Sequence, residues 1–235
     1  MKLSTMLVAL ATCVLLASCT SSQPTPTPAG TTPPTSTPTP AEGALTPGFD
    51  QQPDGEVIPD SALSPVDISK LLRVPATDVG TPTSCNPTDV SAMVDNLDAA
   101  AGHRYGRLVL TNTSGRTCSV TGYLGIGARG EWGNTLQLAA EQREPRDDKV
   151  TSRPITLSPG ATAFANLEWT GELAGAESEH ISMLAIQLAR SQDAFGIPAV
   201  GAVAADSGAQ SGDSAPLDIG MLTTVRIGPA QSASP

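Results

Sequence analysis

GHRYGRLVLTNTSGRTCSVTGYLGIG, residues 102–127, brings strand pattern, turn chemistry and a cysteine together in one stretch. Leu108 and Leu110 alternate with Arg107, Val109 and Thr111, and β-branched residues are frequent, which favours a pleated strand over a helix. Thr113 to Arg116 reads as a turn, with Ser114-Gly115 supplying a residue that tolerates positive φ. Cys118, Val120, Gly122 and Tyr123 then resume an extended pattern, so the stretch predicts a β-hairpin. An isolated hairpin is marginal in water and needs further strands to cover its apolar face.

Outward from this stretch, turn signals recur roughly every 8 to 15 residues from Cys85 onward, with short apolar segments between them and no sustained helical period. Candidate strands are Val90–Leu97, Arg104–Asn112, Thr117–Ile126, Thr135–Ala140, Arg153–Leu157, Ala161–Trp169, Ile181–Leu188 and Leu222–Ile227. In Ala161–Trp169 the residues Ala163, Ala165, Leu167 and Trp169 share one face, opposite Phe164, Asn166 and Glu168. Gly201–Pro216, rich in Gly, Ala, Ser and Asp, is expected to be a long exposed loop, and residues 229–235 a frayed tail. An all-β domain over residues 85–228 follows, large enough for a core of its own.

Cys85, the strand ending in Thr111-Asn112, and Cys118 followed by Gly122-Tyr123 resemble an actinobacterial family of secreted proteins and lipoproteins, the domain of unknown function 4232 family. The resemblance runs from Cys85 through the C-terminal part of the chain. Gly-Tyr is usually followed by proline in that family, whereas Leu124 stands here, and no cysteine follows Cys118. The resemblance implies an immunoglobulin-like β-sandwich and a Cys85–Cys118 disulfide, and it implies no activity.

Cysteine usage agrees with that pairing. Cys13 lies in the leader and Cys19 is the candidate lipidation site, so Cys85 and Cys118 remain available to each other in an oxidising exterior. Closing that loop is worth roughly 3.5 to 4 kcal/mol on a chain-entropy estimate.

The N-terminus explains the exterior. Lys2 precedes an apolar run from Leu3 to Leu16, too short for a transmembrane helix and typical of a signal peptide, residues 1–18. Leu16-Ala17-Ser18-Cys19 is the pattern of a bacterial lipobox, in which the thiol takes a diacylglyceryl group, a palmitate-type lipid, and the cysteine becomes the new N-terminus. An ordinary cleavable signal with an incidental cysteine is the alternative, and it would leave a freely secreted protein. Residues 19–84 are expected to be a lipid-anchored, disordered linker. Thr20–Pro47 is almost entirely Thr, Pro, Ser, Ala and Gly, cannot bury a core and can span up to ~90 Å at ~3.1 Å per residue. Its Thr density makes O-glycosylation an option beside an unmodified tether. Within the linker, Ser64-Pro65-Val66-Asp67 resembles a helix start, and Ile68, Leu71 and Leu72 would share a face, giving either a short docked helix or a transient turn.

The formal charge is −10, and the part from Cys85 carries ten Lys and Arg against sixteen Asp and Glu, which disfavours nucleic acid. Arg143, Arg146, Lys149 and Arg153 cluster but are interleaved with Glu141, Glu144, Asp147 and Asp148, the pattern of a solvated loop more than of an anion site. His103 and His180 are the only imidazoles. His180 beside Glu177 and Glu179 suggests a metal cluster or, more simply, a surface loop. Glu168 and Glu172 are candidate paired carboxylates for glycoside chemistry, but their separation is not fixed by sequence. Asp206 and Asp213 do not match calcium-loop spacing, and no nucleophile motif surrounds either histidine. Trp132, between Gly130 and Gly133 in an expected loop, is the weak candidate for a ligand contact, with loop capping as the plainer role.

The expectation is a lipid-anchored, non-enzymatic β-sandwich at the outer face of the cell membrane, without cofactor or metal, binding a cell-wall polymer or an envelope protein. An accessory domain of wall hydrolysis or transfer and a purely structural envelope spacer are the alternatives. Oligomeric state is not readable from the sequence.

Overall fold

The first turn that shapes the domain precedes the quoted strand rather than following it. In the computed structural model, which describes residues 54–143, 153–170, 179–204, 213–220 and 223–233, Ala101 and Gly102 have φ of 51° and 81°. Two positive-φ residues make the tight turn that matches strand twist, and they join β2 (Val90–Ala100) to β3 (His103–Asn112) as an antiparallel hairpin. The expected hairpin across Thr113–Arg116 does not form. β3 has both edges occupied, by β2 and by β8 (Thr162–Thr170), so the next segment finds no place beside it.

Instead the chain leaves the sheet at Asn112, which is fully buried. The Asn112 amide donates to the carbonyls of Arg116 (2.8 Å) and Leu157 (2.9 Å), and its oxygen accepts from the Ser114 N–H (3.0 Å). β4 (Cys118–Val120) then pairs with β7 (Ile155–Leu157) in a separate two-stranded sheet. The expected strand Thr117–Ile126 is split. Thr121–Leu124 turns away, tied by Tyr123 N–H to Thr77 Oγ1 and by Ala230 N–H to the Gly122 carbonyl, before β5 (Gly125–Gly130) begins.

The remaining strands are β1 (Leu72–Val74), β6 (Ala139–Gln142), β9 (Ile181–Gln187), β10 (Phe195–Pro198), β11 (Val200–Val203), β12 (Ser214–Pro216), β13 (Thr224–Ile227) and β14 (Gln231–Ser232). Eight strands form a large sheet in the order β12-β11-β2-β3-β8-β13-β6, with β14 also on β8. Four form a small sheet, β1-β5-β9-β10. Most pairs are antiparallel, but β11 runs parallel to β2 and β13 parallel to β6. The two sheets make a β-sandwich: Val94, Leu108, Leu110, Ala165 and Leu167 of one and Ile126, Ala128, Leu184 and Ile186 of the other belong to one core. The alternation expected in Ala161–Trp169 is present, with Ala163, Ala165, Leu167 and Trp169 all inward and buried.

Three boundaries differ from expectation. The C-terminal end of the expected linker is folded. Ser64 caps α1 (Pro65–Ser69) through the Asp67 N–H, and Ile68 and Leu71 are buried against Met183 and Ala185 on the outer side of the small sheet. β1 then pairs with β5 where Gly127 leaves room, since a Cβ there would lie 2.1 Å from the Leu71 carbonyl oxygen. Arg129, itself buried, pairs with Asp60 and donates to the Ile58 carbonyl at 2.7 Å, so ordered structure begins well before Cys85. The expected loop Gly201–Pro216 begins and ends in the paired strands β11 and β12, with 205–212 outside the described residues. The expected frayed tail from 229 is also held: Ala230 is buried and Gln231–Ser232 add to β8.

Candidate functional site

Register places the densest polar cluster on the outer face of the large sheet. Tyr105 lies opposite Glu168, Glu168 opposite Arg226, and Arg226 opposite Glu141, one row across β3, β8, β13 and β6. Glu168 Oε1 sits 2.8 Å from His103 Nδ1 and accepts from Arg226 Nη1 at 2.9 Å. Arg226 Nε donates to Glu141 Oε2 at 2.9 Å, and Arg143 Nε lies 3.3 Å from the same oxygen. The hydrogen bond from Glu141, with Glu168 adding its charge, holds the Arg226 guanidinium still more firmly protonated than usual. The Glu168 side chain is 8% exposed and that of His103 37%, and the His103 ring stacks on Tyr105 with centroids 6.3 Å apart.

A carboxylate hydrogen-bonded to an imidazole is half of a general-base arrangement, but His103 Nδ1 stands beside Glu168 Oε1 without hydrogen-bonding to it. The carboxylate oxygen instead accepts from a guanidinium, which stabilises its charge and ties it into an ion-pair row. The arrangement therefore presents a stacked His103–Tyr105 pair above a fixed charge network, a surface suited to recognising polar groups. Sequence spacing pointed to Glu168 with Glu172, but Glu172 lies outside the described residues and the partners of Glu168 are His103 and Arg226. Arg226 was not anticipated, because only the pairing of β13 with β8 brings it to Glu168.

Glu179 has a different task. It is fully buried, accepting at Oε1 from the Trp132 N–H (2.8 Å) and the Asn134 N–H (3.2 Å), and at Oε2 from the Asn134 amide (2.7 Å). Both oxygens thus pin the loop that carries Trp132, which is half-buried beside the end of β5. His180 follows on the surface, and Glu177 lies outside the described residues. Among the described residues no group of three His, Cys, Asp or Glu side chains is placed to hold a metal ion. Trp169, by contrast, is core, its Nε1 donating to the Asp218 carbonyl at 3.0 Å. Of the basic cluster, Arg143 joins Glu141, while Arg146 and Lys149, like Asp206 and Cys19, lie outside the described residues.

Two clefts of about 460 Å³ flank α1. One runs between Asp60, Ile68, Met183 and Ile197, the other between Pro65, Pro87, Gln192 and Phe195, and both share Leu63 and Ile68 as a wall.

The Cys85–Cys118 disulfide is closed, with Cα atoms 4.8 Å apart and both residues buried. The Cys85 N–H donates to the Ser119 carbonyl and the Ser119 N–H to the Thr83 carbonyl, each at 2.9 Å, so the entry to the domain lies against β4. Residues 85–194, from the first bridged cysteine to the residue before β10, match the family model described as Domain of unknown function (DUF4232). This segment is a DUF4232 domain. No curated protein and no solved structure matches the chain. The DUF4232 match stops short of β10 to β14, although β13 sits between β8 and β6 in the large sheet and supplies Arg226. The sandwich and its polar row are thus completed by chain outside the matched segment.

Proposed function

We propose that the mature protein is a lipoprotein, tethered through Cys19 to the outer face of the cell membrane, whose β-sandwich serves as a non-enzymatic binding module for an envelope component. The Cys85–Cys118 disulfide carries this reading, because a buried bridge of this kind persists in oxidising compartments and not in the cytosol. Leu16-Ala17-Ser18-Cys19 supplies the anchor signal, and the Pro/Thr-rich stretch after it supplies reach. Binding rather than catalysis is supported by how Glu168 and Glu179 are employed: one in an ion-pair row, the other in holding a loop.

Cys19→Ala tests the anchor. The variant is expected in the medium or as unprocessed precursor, since a Pro-Thr tether has no membrane affinity of its own. Unchanged membrane fractionation and mass would overturn the lipoprotein reading. Screening the purified chain against wall glycans and peptides tests the module, with saturable binding and no turnover expected. The His103–Glu168 contact favours one second reading, an accessory hydrolase or transferase domain, and turnover abolished by His103→Ala would establish it.

A further inference from the structure

The outer face of the large sheet carries a second row, one step along the strands from the Asp95–Arg107 pair, and it is apolar. Met93 lies opposite Val109, and Val109 opposite Phe164. On the other side Gly201 lies opposite Val94 in parallel pairing, which brings Val200 beside Met93, and Val200 lies opposite Pro216. Pro216, Val200, Met93, Val109 and Phe164 thus align across five adjacent strands. Met93 is 53% and Val200 50% exposed. A sandwich face open to water ordinarily alternates to polar residues, and scattered apolar side chains need no explanation, but an aligned row across a sheet does.

We propose that this face is an interface between two copies of the chain, packed sheet on sheet about a two-fold axis that runs along the strands between β2 and β3. That rotation exchanges the two central strands. Met93 meets Val109 of the second copy, Val200 meets Phe164, and Asp95 faces Arg107 in both directions. Asp95 and Arg107 already pair within one copy, through Nε–Oδ1 at 2.9 Å and Nη2–Oδ2 at 3.1 Å, so the two copies join two neutral pairs into a closed ring of four charges. The Asp95–Arg107 pair is therefore complementary to itself in charge, as an isologous contact requires. The extent of the face fits the lower end of specific interfaces. At ~3.3 Å per residue and ~4.8 Å between strands, the five strands that carry the row offer roughly 590 Å², close to the ~600 Å² per partner at the lower end of the usual range. A strongly acidic chain would draw a basic partner to an acidic patch, whereas this face presents an apolar row beside paired charges.

Sedimentation of the mature polypeptide without its lipid, residues 20–235, tests the proposal, since a standard-size interface binds at micromolar concentration or tighter. The expected result is a dimer at ~100 µM, and a monomer for Met93→Arg at the same concentration, whose thermal midpoint matches that of the unsubstituted chain at dilutions where it too is monomeric. Asp95→Arg and Arg107→Asp should each weaken the dimer at least tenfold, and the double exchange should restore it. A chain monomeric up to ~100 µM, or a dimer indifferent to Met93→Arg, overturns the proposal. So does a monomeric chain whose binding to a wall glycan or to another envelope protein is lost in Met93→Arg, because the row would then serve that partner. None of these readouts depends on the lipid anchor, so failure here and failure of the lipoprotein reading are separable.

Discussion

Asp89 sits where three segments converge. Its carboxylate accepts from the Asn86 N–H at 2.7 Å and from Arg116 Nε at 3.1 Å, and its carbonyl accepts from the Thr113 N–H at 2.8 Å. The Arg116 side chain, with the Asn86 N–H and Ser114 assisting, holds the carboxyl below its ordinary value near 3.8 against the opposing effect of burial. A carboxylate with a depressed folded pKa stabilises the fold above the unfolded value and loses that contribution as pH falls through the folded one. Denaturation midpoints should therefore hold steady above pH ~4 and decline below it. Asp89→Asn should flatten that decline and cost on the order of 1–3 kcal/mol at neutral pH, because the hydrogen bonds lost are charge-assisted and buried. An acid limb of equal steepness in the variant would show that Asp89 is not responsible. This anchor was illegible in the sequence: Asp89 and Arg116 are 27 positions apart, and Asn112 looked like the end of a strand rather than a buried hub.

Among elements, the stretch 102–127 shows what periodicity can and cannot reveal. Alternation identified β3 correctly, because both its neighbours leave one face inward. Which strand lies beside it is a long-range property, and the expected positive φ at Gly115 is not used: the Asn112 and Ser114 side chains hold this turn as a crossing to another sheet. The disulfide, by contrast, was legible, since compartment and cysteine count left few alternatives. It fastens that crossing, joining the segment before β2 to β4 over a separation of 33 residues. Freshly isolated protein should show no titratable thiol when unfolded without reductant. Cys118→Ser should lower the thermal midpoint by roughly 6 to 12 °C, the shift expected for losing ~3 kcal/mol in a domain of this size. A midpoint unmoved by the substitution would mean that the crossing is secured by Asn112 and Asp89 alone.

For the molecule as a whole, the domain is larger than its cysteine framework suggests. Residues 57–74 read as linker because they are polar and proline-punctuated, yet Ile68 and Leu71 bury against the small sheet and Asp60 pairs with the otherwise buried Arg129. A chain beginning at Cys85 should leave Arg129 without its carboxylate and uncover Met183 and Ala185. It should therefore unfold at least several degrees below one beginning at residue 54, a destabilisation of the kind produced by stranding a buried charge. Equal midpoints for the two chains would return the boundary to Cys85. The polar row on the large sheet was likewise hidden, since Glu141, Glu168 and Arg226 come from three distant segments that only the completed sheet aligns.

The interleaving of that sheet also governs when the protein can assemble. β2 waits for β11, more than a hundred residues later, and β13 must enter between β8 and β6. Such non-local pairing gives high contact order, which places folding in the millisecond-to-second range rather than the microsecond one. A chain threaded across a membrane from its N-terminus would expose Cys85 and Cys118 long before β13 follows. During that interval both sulfurs stand open to oxidation, and the bridge can form first, shortening the search that the rest of the chain must complete.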